Sequence, residues 1–377
     1  MFNKVYYIIK SELHYYPPCV SQIRMLHDAG VEVVSVYGSS KASAIELLRN
    51  DRIECVELVD HRGKYKGKWG KIYSWLTYRN SLLQFLKHID RKNSLLWFGN
   101  VESYLPLYGH LSKYHTAVSF LELLDLRSWK SSFTGHIVKS NEFVTACEET
   151  RAYVMKDAWA LDKLPYVLPN KPYSINITKN AIPSIQETKD ILAKLGNAKY
   201  IVYQGIFQNI EYISAVAKAL KKEFPDFYFV LMGLDRNNVI PSIKKLNPNI
   251  IYVPYIPAPK HLEITSHAYI GLLFYEPFHL NRAFCAPNKI YEYSSFGLPI
   301  IGNNIPGLKN TIGTAHAGLC IDINEENVIN AIKYINEHYE EISNSAYDFY
   351  ESTDNVEVVN QIIADHGILT KDTSCTR

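Results

Sequence analysis

The chain has 377 residues, of which 47% are hydrophobic and 21% charged, a globular composition with length for two domains rather than one core. Its net charge of +2 argues against general nucleic-acid binding, and no run reaches the roughly 18 apolar residues of a membrane span. The six cysteines are scattered, without a CxxC or a histidine at metal-ligand spacing, which predicts reduced thiols and a cytoplasmic home.

The N-terminal MFNKVYYIIK reads as a first strand rather than a leader peptide. That strand is the apolar run 5–10, the runs at 31–38, 94–99, 116–121, 142–147 and 166–170 predict further strands, and 19–30, 72–89 and 149–159 carry helical patterns. Strands apolar on both faces and alternating with helices predict a parallel sheet covered on both sides. Residues 1–170 hold 22 basic against 17 acidic side chains, and the remainder 18 against 21. Much of the early excess lies in HRGKYKGKWGK (61–71), where Arg62, Lys64, Lys66, Lys68 and Lys71 alternate with Tyr65 and Trp69. A stretch of that kind suits an anionic membrane surface; a solvated loop ahead of a helix fits it equally.

Residues 170–190 are polar, contain Pro172 and Pro183 and lack periodicity, as an interdomain linker would. The alternation then restarts with strands at 199–205, 227–233, 250–256, 268–276, 298–304 and 318–323, a helix at 287–296 and a long helix at 325–342. The fold class expected is α/β, with two doubly wound Rossmann-like domains facing across a cleft. Their boundaries are 1–170 and 171–344, with 345–377 supplying a helix that crosses back to the first domain and a frayed tail. Ligands of such sheets sit beyond the carboxyl ends of the strands.

Several chemistries are excluded by missing motifs. There is no GxGxxG after the first strand, no Walker A sequence and no GxSxG elbow. There is also no DxD, so no metal is expected at the site. Gly205 ends the strand VYQG without a side chain, which permits a phosphate to approach the backbone; a plain β-to-α turn explains it as well. In APNKIYEYSSFGLPII (286–301), Pro287 suits the first helical position, leaving the N–H groups of Asn288, Lys289 and Ile290 toward an anion. Glu292 lies three residues past Lys289 on the same helical face, in reach of sugar hydroxyls. By physics alone this Lys/Glu pair is also an ordinary surface ion pair.

The run GLLFYEPFHLNRAFCAPNKIYEYSSFGLPII (271–301) resembles the donor-site signature P-x-K-x-x-E-Y-x-x-x-G-x-P of GT-B glycosyltransferases, family-4-like enzymes of bacterial polysaccharide assembly. The resemblance covers 165–323 well and the first half in topology. It implies a nucleotide-sugar donor, UDP- or GDP-linked, as substrate and no cofactor. Glu292 would bind the ribose, Lys289 with the amides of Asn288 and Ile290 the diphosphate, Gly205 would admit the phosphates, and Tyr255 and Ile256 would read the base. The acceptor would be a glycan or lipid-linked glycan, met at the inner face of the membrane through 61–71. Two positions depart from the family pattern: Phe284 stands where many retaining members have a first glutamate, with Glu276 too early by count, and Gln208 stands where a cation is usual. An inverting reaction would need a base from the first domain. Asp125 and Glu122, after the strand at 116–121, are the candidates, with Asp125 preferred; helix-start acids are an equal reading of both. Glu12 and His14 are weaker candidates, and His136, His261 and His267 read as isolated histidines. A GT-B-fold sugar-nucleotide epimerase and a non-catalytic nucleotide-sugar-binding subunit are the alternatives.

Overall fold

Valine, isoleucine, leucine and aromatic side chains fill the strands on both faces, and the sheets they form are accordingly parallel and sandwiched between helices. The structure, a computed structural model, describes residues 1–60 and 67–371. Two units divide the chain, Met1–Tyr173 with Asp354–Arg377 and Ser174–Thr353.

In the first unit the strands are β1 (Lys4–Glu12), β2 (Val33–Ser39), β3 (Glu54–Glu57), β4 (Ser94–Phe98), β5 (His115–Phe120), β6 (Phe143–Ala146) and β7 (Tyr166–Val167). They pair in the order β3-β2-β1-β4-β5-β6-β7, so the winding reverses between β1 and β4. The helices are α1 (Pro17–Asp28), α2 (Ala42–Asn50), α3 (Gly67–Leu86), α4 (Val101–Tyr104), α5 (Trp129–Val138) and α6 (Glu149–Ala158). One core packs α3, α4, α5 and α6 against the sheet, and a second packs α1 and α2 against its other face. Residues 61–66 of the basic–aromatic stretch lie outside the described residues.

The second unit repeats the plan with helices α7 (Gln186–Leu195), α8 (Ile210–Glu223), α9 (Ile240–Leu246), α10 (Leu262–Thr265), α11 (Leu280–Ala283), α12 (Asn288–Ser294), α13 (Pro306–Leu308), α14 (Glu325–Glu337) and α15 (Tyr339–Ser352). Its strands are β8 (Tyr200–Ile206), β9 (Tyr228–Leu234), β10 (Ile250–Val253), β11 (Ile270–Leu273), β12 (Ile300–Asn303) and β13 (Gly318–Ile321). Their order is β10-β9-β8-β11-β12-β13, with the reversal between β8 and β11.

The chain returns to the first unit at Asp354 rather than at 345. The helix α15 stays with the second unit because the Ser343 hydroxyl donates to the Gly297 carbonyl at 2.6 Å and Phe349 stacks on Tyr291. Asp354 then caps α16 (Asn355–Asp365) by accepting from the N–H groups of Val356 and Glu357. Val359 and Ile362 of α16 are fully buried in the core that contains α1.

Glu263 of α10 ties the segment before α7 to the second unit. It accepts from the Ser184 N–H at 2.9 Å, the Ser184 hydroxyl, the Thr188 hydroxyl at 2.6 Å and the Lys260 ammonium at 3.3 Å. Burial opposes its charge, yet these donors prevail and hold its pKa at about 2, below the ordinary 4.5. A depressed carboxylate pKa contributes stability above the unfolded value, and that contribution is lost as pH falls from 4.5 toward 2. Glu263→Gln is therefore expected to cost about 1–3 kcal/mol at neutral pH. Urea melts should show the gap from wild type closing as the pH is lowered through that window.

Candidate functional site

At the carboxyl edge of the second sheet, β8 and β9 end side by side in glycine. Gly205 and Gly233 are register partners with φ of +135° and +143°, a region that L side chains rarely adopt. A Cβ on Gly233 would lie 1.9 Å from the Gly205 carbonyl oxygen, so no other residue fits. A Cβ on Gly205 would meet nothing nearer than Lys289 Cε at 3.6 Å. The missing side chain there leaves open backbone beneath the Lys289 ammonium.

The partner wall is α12. Its residues Ile290, Tyr291, Tyr293 and Ser294 are buried, which turns Lys289 and Glu292 together toward the strand ends. Gly271 of β11 makes this packing possible, since a Cβ there would be 2.4 Å from the Tyr293 ring. The resulting pocket has a cavity volume of about 240 Å³ and is walled by Gly205, Gly233, Tyr255, Ile256, Lys289 and Glu292, together with Gln204 and His261.

Five of the residues expected at a donor site thus come together: Gly205, Tyr255, Ile256, Lys289 and Glu292. Tyr255 is half exposed at the mouth, and Ile256 is buried. Asn288 and Ile290 are not among the walls. The Ile290 side chain is in the core, and its N–H donates to the Pro287 carbonyl at 3.2 Å, so that amide is spent within the chain. Pro287 occupies the N-cap, with φ −77° and ψ 144°, and not the first helical position. Its ring fixes a φ that both positions accept, which is why the sequence does not separate them.

His261 is the residue missed by reading it as isolated. Its Nε2 lies 3.5 Å from Glu292 Oε2, and its Nδ1 is buried with no partner. Gln204, 5% exposed, donates from Nε2 to the Thr265 hydroxyl at 2.9 Å, while its Oε1 is likewise buried and unpaired. The Glu292 side chain is 14% exposed. Burial penalises its charge, but the contact with His261 and the charges of His261 and Lys289 hold its pKa below the ordinary carboxylate value. Glu292 is therefore an anion at neutral pH. Among the described residues, no group of three His, Cys, Asp or Glu side chains is placed to hold a metal.

Gln208 and Glu276 meet in space through one arginine. Arg282 of α11 donates to Gln208 Oε1 at 3.2 Å, and its other nitrogen lies 3.9 Å from Glu276 Oε2. A guanidinium thus stands beside Gln208, although position 208 itself carries no cation. On the first unit, Glu122 and Asp125 are exposed in the loop after β5. Asp125 Oδ1 accepts from the Arg127 N–H at 3.1 Å, and its carbonyl accepts from the Ser128 hydroxyl ahead of α5. The helix-start reading therefore accounts for part of its environment.

Residues 184–349 match the family described as "Glycosyl transferases group 1". A glycosyltransferase from Rickettsia africae superposes with a TM-score of 0.69 at 12% identity, covering 98% of this chain and 99% of that one. Anabaena HepE in complex with UDP-glucose gives 0.68 at 12% identity, covering 97% and 100%. A putative UDP-N-acetylglucosamine 2-epimerase from Listeria monocytogenes gives 0.66 at 14% identity, covering 97% and 95%. No curated protein matches in sequence. The second unit thus matches the glycosyltransferase group 1 family, and the chain has the two-unit GT-B fold of parallel-sheet α/β domains.

The glycine pair separates two kinds of damage. Gly233→Ala should cost about 3 kcal/mol or more in urea melts, since backbone must move. Gly205→Ala should cost only about 1–2 kcal/mol, the strain of its φ, while narrowing the pocket.

Proposed function

From the GT-B fold and the family match of the second unit, we propose that the protein moves a sugar from a UDP- or GDP-sugar to a glycan or lipid-linked glycan, without a metal, in surface polysaccharide synthesis. The observation that carries this reading is the joining of Lys289, Glu292 and the two glycines in one pocket. Its glycine floor and ammonium suit a diphosphate, and its anionic carboxylate suits the vicinal hydroxyls of a ribose. The fold shared with a UDP-glucose-bound neighbour supports a nucleotide sugar. Work on a lipid-linked acceptor fits the basic–aromatic run 61–71 and would put the protein at the cytoplasmic face of a membrane.

The bond between the anomeric carbon and the diphosphate breaks with its electron pair leaving on the diphosphate oxygen. Lys289 stabilises that charge in the work otherwise given to a metal, with Arg282 as a second cation beside Gln208. The acceptor oxygen forms the new bond and gives its proton to a carboxylate of the first unit, Asp125 or, second, Glu122. Inversion at the anomeric carbon follows from that single displacement.

Glu292→Ala should weaken UDP or GDP binding by about tenfold to a hundredfold, the worth of one or two charge-assisted hydrogen bonds. A calorimetric titration reads this directly, and unchanged affinity removes the site. Asp125→Asn should abolish transfer and spare donor binding; retained transfer rules it out as base. Transfer should continue in EDTA. The epimerase-like neighbour favours a second reading, which predicts epimer formation from a UDP-sugar with no acceptor present, visible by NMR.

A further inference from the structure

The helix α3, GKWGKIYSWLTYRNSLLQFL, has three basic residues and not one acid along its 20 positions. Its inner stripe, Gly70, Ser74, Tyr78, Leu82 and Leu86, is buried against the first sheet. Two polar anchors fix its rotation. Lys10, itself buried, donates to the Ser74 hydroxyl at 2.8 Å, and Ser74 donates to Asp60 at 2.6 Å. The Tyr78 hydroxyl donates to the Ser103 carbonyl at 2.9 Å. Turning the helix would break both, so its outward face is set by the interior.

The N-terminal half of that outward face is largely apolar. Trp69 is 79% exposed, and Ile72 and Leu76 follow at helical spacing, with Trp75 on the flank and the exposed Lys68 and Lys71 beside them. A second patch continues the same chemistry on α5, which also lacks acids and packs on the same sheet face. Its Trp129 is 79% exposed and leads through Phe133 to the exposed Tyr108. The remaining tryptophans, Trp97 and Trp159, are buried with their indole N–H groups donating to Ser119 and Ser131. Because α3 and α5 precede strands of a parallel sheet, both start at its carboxyl edge.

We infer that the outer face of α3, with Trp129, inserts into the interface of an anionic phospholipid bilayer. Indoles settle at the depth of the headgroups, Ile72 and Leu76 reach the acyl boundary, and Lys68 and Lys71 meet lipid phosphates. Positive charge without a single acid on either helix is complementary to that surface. A sugar-stacking platform would explain the indoles but not the aliphatic pair between them. The inference deepens the lipid-linked-acceptor reading and rests on it only for the biological purpose of the contact.

The test is sedimentation of the full chain with vesicles of phosphatidylcholine, with and without phosphatidylglycerol. The wild type should bind the anionic vesicles at least about tenfold more tightly. Brominated lipid should quench its fluorescence. The triple variant Trp69→Ser/Ile72→Ser/Leu76→Ser should lose about tenfold or more in partitioning with unchanged circular dichroism. Nucleotide affinity, measured on the same samples, should be equal in both proteins. Absence of vesicle binding, or binding equal in the variant, overturns the inference. So does self-association that the variant abolishes in place of vesicle binding, since a second copy would then cover the face. Failure to bind UDP or GDP strikes the donor-site reading alone and leaves the vesicle result standing.

Discussion

The pocket depends on how closely α12 approaches β11. A seven-residue helix has no stability of its own in water and takes it from packing. Here the packing is Tyr293, fully buried against the face of Gly271, with Ile290 and Phe296 beside it and α15 behind through Tyr291 and Phe349. Each of these contacts uses up one side of the helix. Lys289 and Glu292 take the side that remains, over Gly205, so the polar pair is placed by the apolar one.

Two carboxylates of the second unit, Glu263 buried and Glu292 largely so, show how a site differs from a strut. Glu263 accepts four hydrogen bonds from Ser184, Thr188 and Lys260 and has no capacity directed at a ligand. Glu292 has one long contact, to His261, and lines open space. Burying a carboxylate with so few donors is costly unless something further binds it. Gln204 Oε1 and His261 Nδ1, buried at the same pocket without partners, point the same way. Orphaned polar atoms are rare in interiors, and three incomplete groups around one cavity describe a surface prepared for a polar ligand.

Much of this was legible in the sequence because it is local. The doubly wound sheets follow from short apolar strands alternating with helices, and the Lys289/Glu292 pairing follows from helical spacing within one segment. What the sequence hid is nonlocal. His261 comes from a different helix, and nothing in HLEITSHA marks it as a neighbour of Glu292. Gly233 looks like any strand-end glycine until its register with Gly205 is known. The return point at Asp354 was obscured by the helical character of α15 and α16, which differ in the core they enter rather than in periodicity. Arg282 shows the same limit from the other side: a position that reads as a missing cation at Gln208 is supplied from α11, more than seventy residues on.

Helix surfaces set the two units apart. In the second unit α8 buries Ile213, Val216, Ala217 and Leu220 and presents Lys218, Lys221, Lys222 and Glu223 outward, while Lys333 of α14 pairs with Glu223. Mixed charge facing water is the ordinary condition of a surface helix. The N-terminal part of α3 does the reverse, turning Ser74 and Tyr78 inward onto Lys10, Asp60 and Ser103 while Trp69, Ile72, Trp75 and Leu76 face out beside Lys68 and Lys71. Hydrophobic stabilisation favours burying those side chains and leaving the hydroxyls in water. An arrangement that forgoes that gain twice on one helix is explained by an outer face that is not, in use, exposed to water.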